Sequence, residues 1–272
     1  MAATSPVCRW VNDGDIRALA NGTCEQLEAI ILEWLKAECI EARVEVIGSL
    51  RKGTMLADHR EIDLAVVLAQ CSSVEQVLKV ATSLSLFLRK HELEARDEGG
   101  WVRLVAKDMS ADVVITADNV NLGPGEVGPS ELRVRRFSVS LAQAELIGNL
   151  PVWKKHGIMV LKSWARQLRP PPSSYLFEVI AFNCLRDTEP CAEIAAAVKC
   201  CKWLVGLNAK ETVRVREDGG RPTERTVRHN LPTILDPCDA SNNLAETCVA
   251  DWKQFVLFMN VHAGCETPSE SV

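Results

Sequence analysis

The sequence predicts an α+β chain in two lobes, an N-terminal half built on a mixed β-sheet with helices and a C-terminal half that is mainly helical. Three observations carry this reading. Strand-like apolar runs dominate up to about Thr116, whereas beyond Phe137 apolar residues recur at three- and four-residue spacing. Between the two stand Gly123-Pro124-Gly125 and Gly128-Pro129, a loop by composition. Strands followed by helices, rather than strict alternation, is the α+β layout. The lobes are expected over 1–145 and 146–265, with a frayed tail over 266–272.

Each element follows from its pattern. The stretch 16–39 reads as a helix, with Leu27, Ile30, Ile31, Trp34 and Leu35 at helical spacing and Thr23 as a candidate cap. Residues 43–47 read as a strand, Val44 and Val46 on one face, Arg43 and Glu45 on the other. It ends at Gly48-Ser49, and a short polar helix or loop leads to a second strand, Glu61-Ile62-Asp63 running on through the apolar stretch 64–68. An amphipathic helix is expected over 74–90. Residues 101–106 and 111–116 are β-rich runs joined by Lys107-Asp108-Met109-Ser110. Helices are then expected over 141–148, 152–168, 173–185 and 191–205, with Gly206 as a stop, and over 249–260.

Composition narrows the function class. At 272 residues and 47% hydrophobic the chain can bury a good core. The first fifteen residues lack a basic-then-apolar run, and no apolar stretch approaches the ~20 residues of a membrane span. No membrane partner is expected, and the cytoplasm is the expected location, with the nucleus as the alternative. Eleven cysteines, an odd number in a chain this long, read as reduced thiols. Cys191, Cys200 and Cys201 lack a histidine at ligand spacing, so no zinc is expected. The net charge of −5 argues against a broad nucleic-acid surface. Arginines cluster locally: Arg133, Arg135 and Arg136 in one segment, and Arg214, Arg216, Arg221, Arg225 and Arg228 around Asp218-Gly219-Gly220, which reads as a charged hairpin.

The chemistry concentrates at the first two strands. Residues two apart in a strand face the same way, so Glu61 and Asp63 project together while Ile62 points to the core. Two acids on one face are best tolerated around a divalent cation, and Mg²⁺ in phosphoryl-transfer sites is held by one or two carboxylates plus phosphate oxygens. Gly48 lets backbone approach a phosphate, Ser49 offers a hydroxyl, and Lys52 a point charge. Asp112, at the start of the run 111–116, is the candidate third acid, with Asp108 as a weaker rival in the turn. A phosphate cradle that feeds a metal-binding strand is the working part of a nucleotidyltransferase.

The string Gly48-Ser49-Leu50-Arg51-Lys52-Gly53-Thr54, with its acidic pair a dozen residues on, resembles the DNA polymerase β-like nucleotidyltransferase superfamily. It looks most like the 2′-5′-oligoadenylate synthetases. Two further blocks support that family. Val160-Leu161-Lys162-Ser163-Trp164 precedes a proline-rich loop and a helix beginning Tyr175-Leu176-Phe177-Glu178, and Ile234-Leu235-Asp236-Pro237-Cys238-Asp239 is followed by Asn243 and a tryptophan-bearing helix. The resemblance implies a bilobal nucleotidyltransferase fold with its cleft between the lobes. It implies a catalytic and metal-binding triad of Glu61, Asp63 and Asp112 around two Mg²⁺ ions, Mn²⁺ being the other ion admitted. ATP, the implied substrate, would meet Gly48, Ser49, Lys52, Gly53, Thr54, Lys162, Ser174 and Tyr175, with Lys162 on the triphosphate and Tyr175 stacked on the base. Lys162→Ala is then expected to weaken ATP use with little change in stability.

The chain departs from the family at Glu61, where Asp is usual, at Met159, where an arginine is common, and at Ser174, where Gln is common. Double-stranded RNA, the family's partner, is expected to bind weakly and with strong salt dependence, Arg214, Arg216, Arg225 and Arg228 being the candidate contacts. Two alternatives stay open: a related enzyme that makes cyclic dinucleotides or extends RNA, and a catalytically silent module like the DZF-domain proteins, which the Gly-Ser-x-x-Lys-Gly-Thr string also resembles.

Overall fold

A computed structural model describes residues 14–71, 73–105, 108–117, 139–206, 212–213, 233–247, 252–262 and 264. The chain divides into two compact units, Met1–Gly148 and Asn149–Val272.

In the first unit a long helix, α1 (Gly14–Ala37), precedes a five-stranded sheet. The strands are β1 (Ala42–Ile47), β2 (Glu61–Leu68), β3 (Glu94–Asp97), β4 (Trp101–Val105) and β5 (Ser110–Ala117), in the order β1-β2-β5-β4-β3. β2 and β5 run parallel and every other pair is antiparallel, so the sheet is mixed. Parallel neighbours need a crossover; here α3 (Val74–Lys90) and the β3–β4 hairpin supply it. Ser73 caps α3, its Oγ accepting the Gln76 N–H at 3.2 Å, an arrangement worth about 1 kcal/mol. The helix α2 (Gly48–Lys52) is a single short turn between β1 and β2.

The period of two sorts each strand. Ile62, Leu64, Val66 and Leu68 of β2, with Ala111, Val113, Ile115 and Ala117 of β5, meet Ile31 and Trp34 of α1 and Val77, Leu84 and Leu88 of α3 in the main core. The other face carries a smaller cluster, Ile47, Ala65, Val67 and Val114, packed with Trp101 and with Leu141 of α4 (Ser140–Gly148). Glu61, Asp63 and Asp112 are in phase with this second face.

The strand β3 has no counterpart in the sequence reading. Its residues, Glu94-Ala95-Arg96-Asp97, include one buried side chain, Ala95, and it holds the sheet edge through backbone pairing with β4.

The second unit gathers α5 (Val152–Ala165), α6 (Ser174–Cys184), α7 (Glu193–Gly206) and α8 (Trp252–His262), with α7 packed against the other three. Phe177 and Phe255 meet edge to face at 5.8 Å in its core. A small sheet joins β6 (Thr212–Val213), β7 (Thr233–Asp236) and β8 (Asp239–Asn243), followed by a 3-10 turn, Leu244–Thr247. The α+β class expected from the sequence is the observed one. The arginine cluster with Arg214, Arg216, Arg225 and Arg228, the loop with Gly123, the segment with Arg133 and the tail from Glu266 lie outside the described residues. Among the described residues no helix is long and apolar enough to cross a membrane, and Cys24, Cys39, Cys71, Cys184, Cys191, Cys200, Cys201 and Cys238 are not joined in disulfides.

Candidate active site

The Gly-Ser turn is built around Asp63. Gly48 follows Ile47, the β1 residue in register with Asp63, and takes φ +62°, a conformation other residues rarely adopt. A Cβ placed on Gly48 would fall 1.8 Å from Asp63 Oδ2, so any side chain there would collide with the carboxylate. Ser49 is next, and its Oγ is buried with no hydrogen-bond partner among the described residues. Gly53 ends α2 in the left-handed conformation, its N–H donating to Leu50 O, while Thr54 N–H donates to Ser49 O at 2.9 Å. Lys52 is 7% exposed and Thr54 fully buried, so both sit in the base of this turn.

The acids converge in part. Asp63 and Asp112 are partners in register across the parallel β2–β5 pair, and Arg103 of β4 is the antiparallel partner of Asp112 on its far side. Arg103 Nη2 donates to Glu61 Oε1 at 3.1 Å, and its Nη1 lies 3.7 Å from Asp112 Oδ2. Asp112 Oδ1 is buried with no hydrogen-bond partner among the described residues. Burial first, then hydrogen bonding and repulsion from Glu61, push the Asp112 carboxyl up to about 8; Arg103 opposes this and Asp63 adds to it. Asp108, the rival third acid, is exposed in the turn before β5, where it lines a 510 Å³ cleft with Leu19, Arg60, Arg103, Met109 and Ser110.

In the second unit two of the candidates, Lys162 and Tyr175, are each engaged with a buried acid. Lys162 of α5 is 6% exposed and ion-paired to Glu178 of α6, itself 1% exposed. Tyr175 stands one turn before Glu178 on α6; its hydroxyl donates to Asp236 Oδ1 at 2.9 Å. Asp236, 1% exposed, also accepts the Cys238 N–H at 2.9 Å and the Asn242 amide at 3.3 Å. Burial and the neighbouring Asp236 and Cys238 hold the Tyr175 phenol far above its usual range. Asn243 Oδ1 accepts the N–H groups of Ile234 and Ala245. The Ile-Leu-Asp-Pro block is thus a hairpin tied to α6 by its aspartate. Ser174, at the first position of α6, is exposed.

The acids of β2 and β5 suit a divalent cation in their chemistry: they are hard oxygen donors, and Asp112 has a buried oxygen without a donor. They do not close into a cage. Among the described residues no group of three or more His, Cys, Asp or Glu side chains is arranged to hold a metal ion. A site for Mg²⁺ needs one or two carboxylates and completes its shell with water and substrate phosphates, so the arrangement fits such an ion without enclosing it.

Sequence reasoning missed Arg103 and the ion pair of Lys162. For Arg103 a signal existed: it stands as far before the Lys107-Asp108 turn as Asp112 stands after it, so a hairpin through that turn pairs the two.

No protein-family profile matches the chain, and no curated protein matches it. Solved structures do. Cid1, described as a poly(U) polymerase with RNA terminal uridylyl transferase activity, superposes in complex with its short product ApU at a TM-score of 0.68. The two are 12% identical, and the match covers 98% of this chain and 92% of that one. CdnC of E. coli MS115-1 with ATP matches at a TM-score of 0.65 and 15% identity, over 94% of this chain and 87% of the other. A cytoplasmic RNA terminal U-transferase matches at a TM-score of 0.65 and 13% identity, over 97% and 93%. The chain therefore has the fold of nucleotidyltransferases.

Proposed function

We propose that the chain is a metal-dependent, template-independent nucleotidyltransferase that takes ATP as donor, with its catalytic centre at Glu61, Asp63 and Asp112. The observation that supports this most is the pressing of the Asp63 carboxylate against Gly48. It joins the Gly-Ser turn to the acidic pair, as a site that positions a triphosphate beside its metal ligands requires. In the reaction a hydroxyl oxygen bonds to the α-phosphorus of ATP, the bond from that phosphorus to the β-phosphate bridging oxygen breaks, and pyrophosphate leaves. Glu61, Asp63 and Asp112 would hold the cations, which when bound supply Lewis-acid activation of the hydroxyl and neutralise triphosphate charge. The Ser49 hydroxyl, buried with no hydrogen-bond partner among the described residues, would supply a donor to phosphate. Glu61 reaches one methylene further than the aspartate usual in the oligoadenylate synthetases, and here that length brings it to Arg103.

The product we propose is 2′-5′-linked oligoadenylate, on the strength of the three ordered sequence blocks. Likeness to Cid1 supports a second reading, addition of nucleotides to an RNA end. Labelled ATP and UTP, offered with and without RNA and followed by linkage-specific nuclease digestion, separate the two. Products resistant to 3′-5′-specific nuclease support oligoadenylate synthesis; RNA extended by 3′-5′ links supports the second reading. In the oligoadenylate reading Lys162, Ser174 and Tyr175 serve the nucleotide as well, which requires Lys162 to exchange Glu178 for phosphate.

A further inference from the structure

The cation seated at the acidic edge of the sheet is a guanidinium. Arg103 donates to Glu61 at 3.1 Å and stands 3.7 Å from Asp112, so it occupies the space between two of the three acids assigned to metal. It leans on Trp101, whose ring centroid lies 6.0 Å from its Cζ. Three features make this seat reversible. The Arg103 side chain is 37% exposed, unlike the buried Lys162. Its longer contact, to Asp112, is an ion pair without a hydrogen bond. It also borders a 510 Å³ cleft with Leu19 and Ser110, open space next to its present seat.

We propose that Arg103 is a built-in competitor for the divalent cation: it occupies Glu61 and Asp112 until metal displaces it, and so sets the metal concentration at which the site fills. This rests on the metal-site reading of the acids given above. The apparent affinity of a ligand falls by the fraction of molecules in which its site is open. A charge-assisted hydrogen bond that keeps Arg103 seated in roughly nine molecules of ten lowers metal affinity about tenfold. Lysine, a single point donor, cannot span both acids as the planar fork does.

The test is a titration of the full chain with Mn²⁺ alone, free ion being read by electron paramagnetic resonance, for wild type, Arg103→Gln, Arg103→Lys and Asp63→Asn. The expected result is about tenfold tighter binding by Arg103→Gln, an intermediate value for Arg103→Lys, and much weaker binding by Asp63→Asn. Melting curves give a second readout. In EDTA, Arg103→Gln melts below wild type, because the acids are left uncompensated, and Mn²⁺ raises its melting temperature by more. Equal or weaker Mn²⁺ binding by Arg103→Gln, with Asp63→Asn still impaired, overturns the competition and leaves the metal site standing. Equal binding by Asp63→Asn and wild type overturns both.

Discussion

Acids are held in opposite ways in the two units. In the second, Glu178 meets Lys162 sixteen residues away, and Asp236 collects the Tyr175 hydroxyl from α6 together with the nearby Asn242 amide and Cys238 N–H. In the first, Asp63 and Asp112 lie side by side on neighbouring strands, Glu61 is close by, and one half-exposed arginine serves two of the three. The matched acids hold α5, α6 and the β7–β8 hairpin together. Burial and repulsion from Glu61 raise the Asp112 carboxyl, and a protein retains such an acidic cluster where a ligand will complete it. The pair Lys162–Glu178 is therefore read here as structural first, and the acidic edge as functional.

The largest effect separating the two regions is expected at Lys162. Removing one partner of a buried pair leaves the other charge uncompensated, so Lys162→Ala should cost about 3–5 kcal/mol in denaturant unfolding. This differs from the expectation of little change in stability, which placed Lys162 on the triphosphate and gave it no buried partner. Replacing both partners, Lys162→Met with Glu178→Leu, should recover most of that loss. Recovery absent from the double variant would mean that the pair does more than fill and neutralise the interface of α5 and α6.

A smaller effect belongs to Tyr175. Tyr175→Phe removes one donor to Asp236 and keeps those from Cys238 and Asn242, for a loss of about 1–2 kcal/mol. A loss well below that range would show that Cys238 and Asn242 satisfy Asp236 unaided.

The metal-free acidic edge should respond to pH in the direction opposite to an ordinary salt-bridged acid. Its Asp112 carboxyl is raised to about 8, against an unfolded value near 3.8. Between these limits the folded chain binds a proton that the unfolded chain has released, so stability falls as pH rises through that window and levels off above it. Melting in EDTA from pH 4 to 8 checks this, and Asp112→Asn should flatten the slope. A slope of the opposite sign would place Asp112 in a fully compensated ion pair.

The smallest stability change is expected at Asp63. Asp63→Asn relieves repulsion between the neighbouring strands β2 and β5 while keeping the shape that packs on Gly48, so its unfolding free energy should stay within about 0.5 kcal/mol of wild type.

These contrasts track what the sequence could disclose. The helix α3 was legible from its period, and β2 from an apolar run opened by two acids; Glu61 and Asp63 could be set on one face by alternation alone. The pairing of Asp63 with Asp112 depends on a parallel crossover, which alternation does not encode, although the choice of Asp112 over Asp108 followed from its place inside a strand. Lys162 could not be read, because Val160-Leu161-Lys162-Ser163-Trp164 looks the same whether its lysine meets solvent or a glutamate sixteen residues on. Asp236 was seen as part of a family block, and its hydrogen bonds to Tyr175 and Cys238 required the fold. The strand β3 was hidden because edge strands of alternating charge bury almost nothing.

The central claim is that the acidic edge is catalytic, and pyrophosphate release from ATP tests it most directly. Wild type and Asp63→Asn should be compared with Mg²⁺ and with EDTA, after melting curves have shown both to be folded. Wild type should release pyrophosphate only with the metal, and Asp63→Asn should be slower by about a thousandfold, the scale of several kcal/mol of charge stabilisation. Turnover by Asp63→Asn at the wild-type rate would contradict the account.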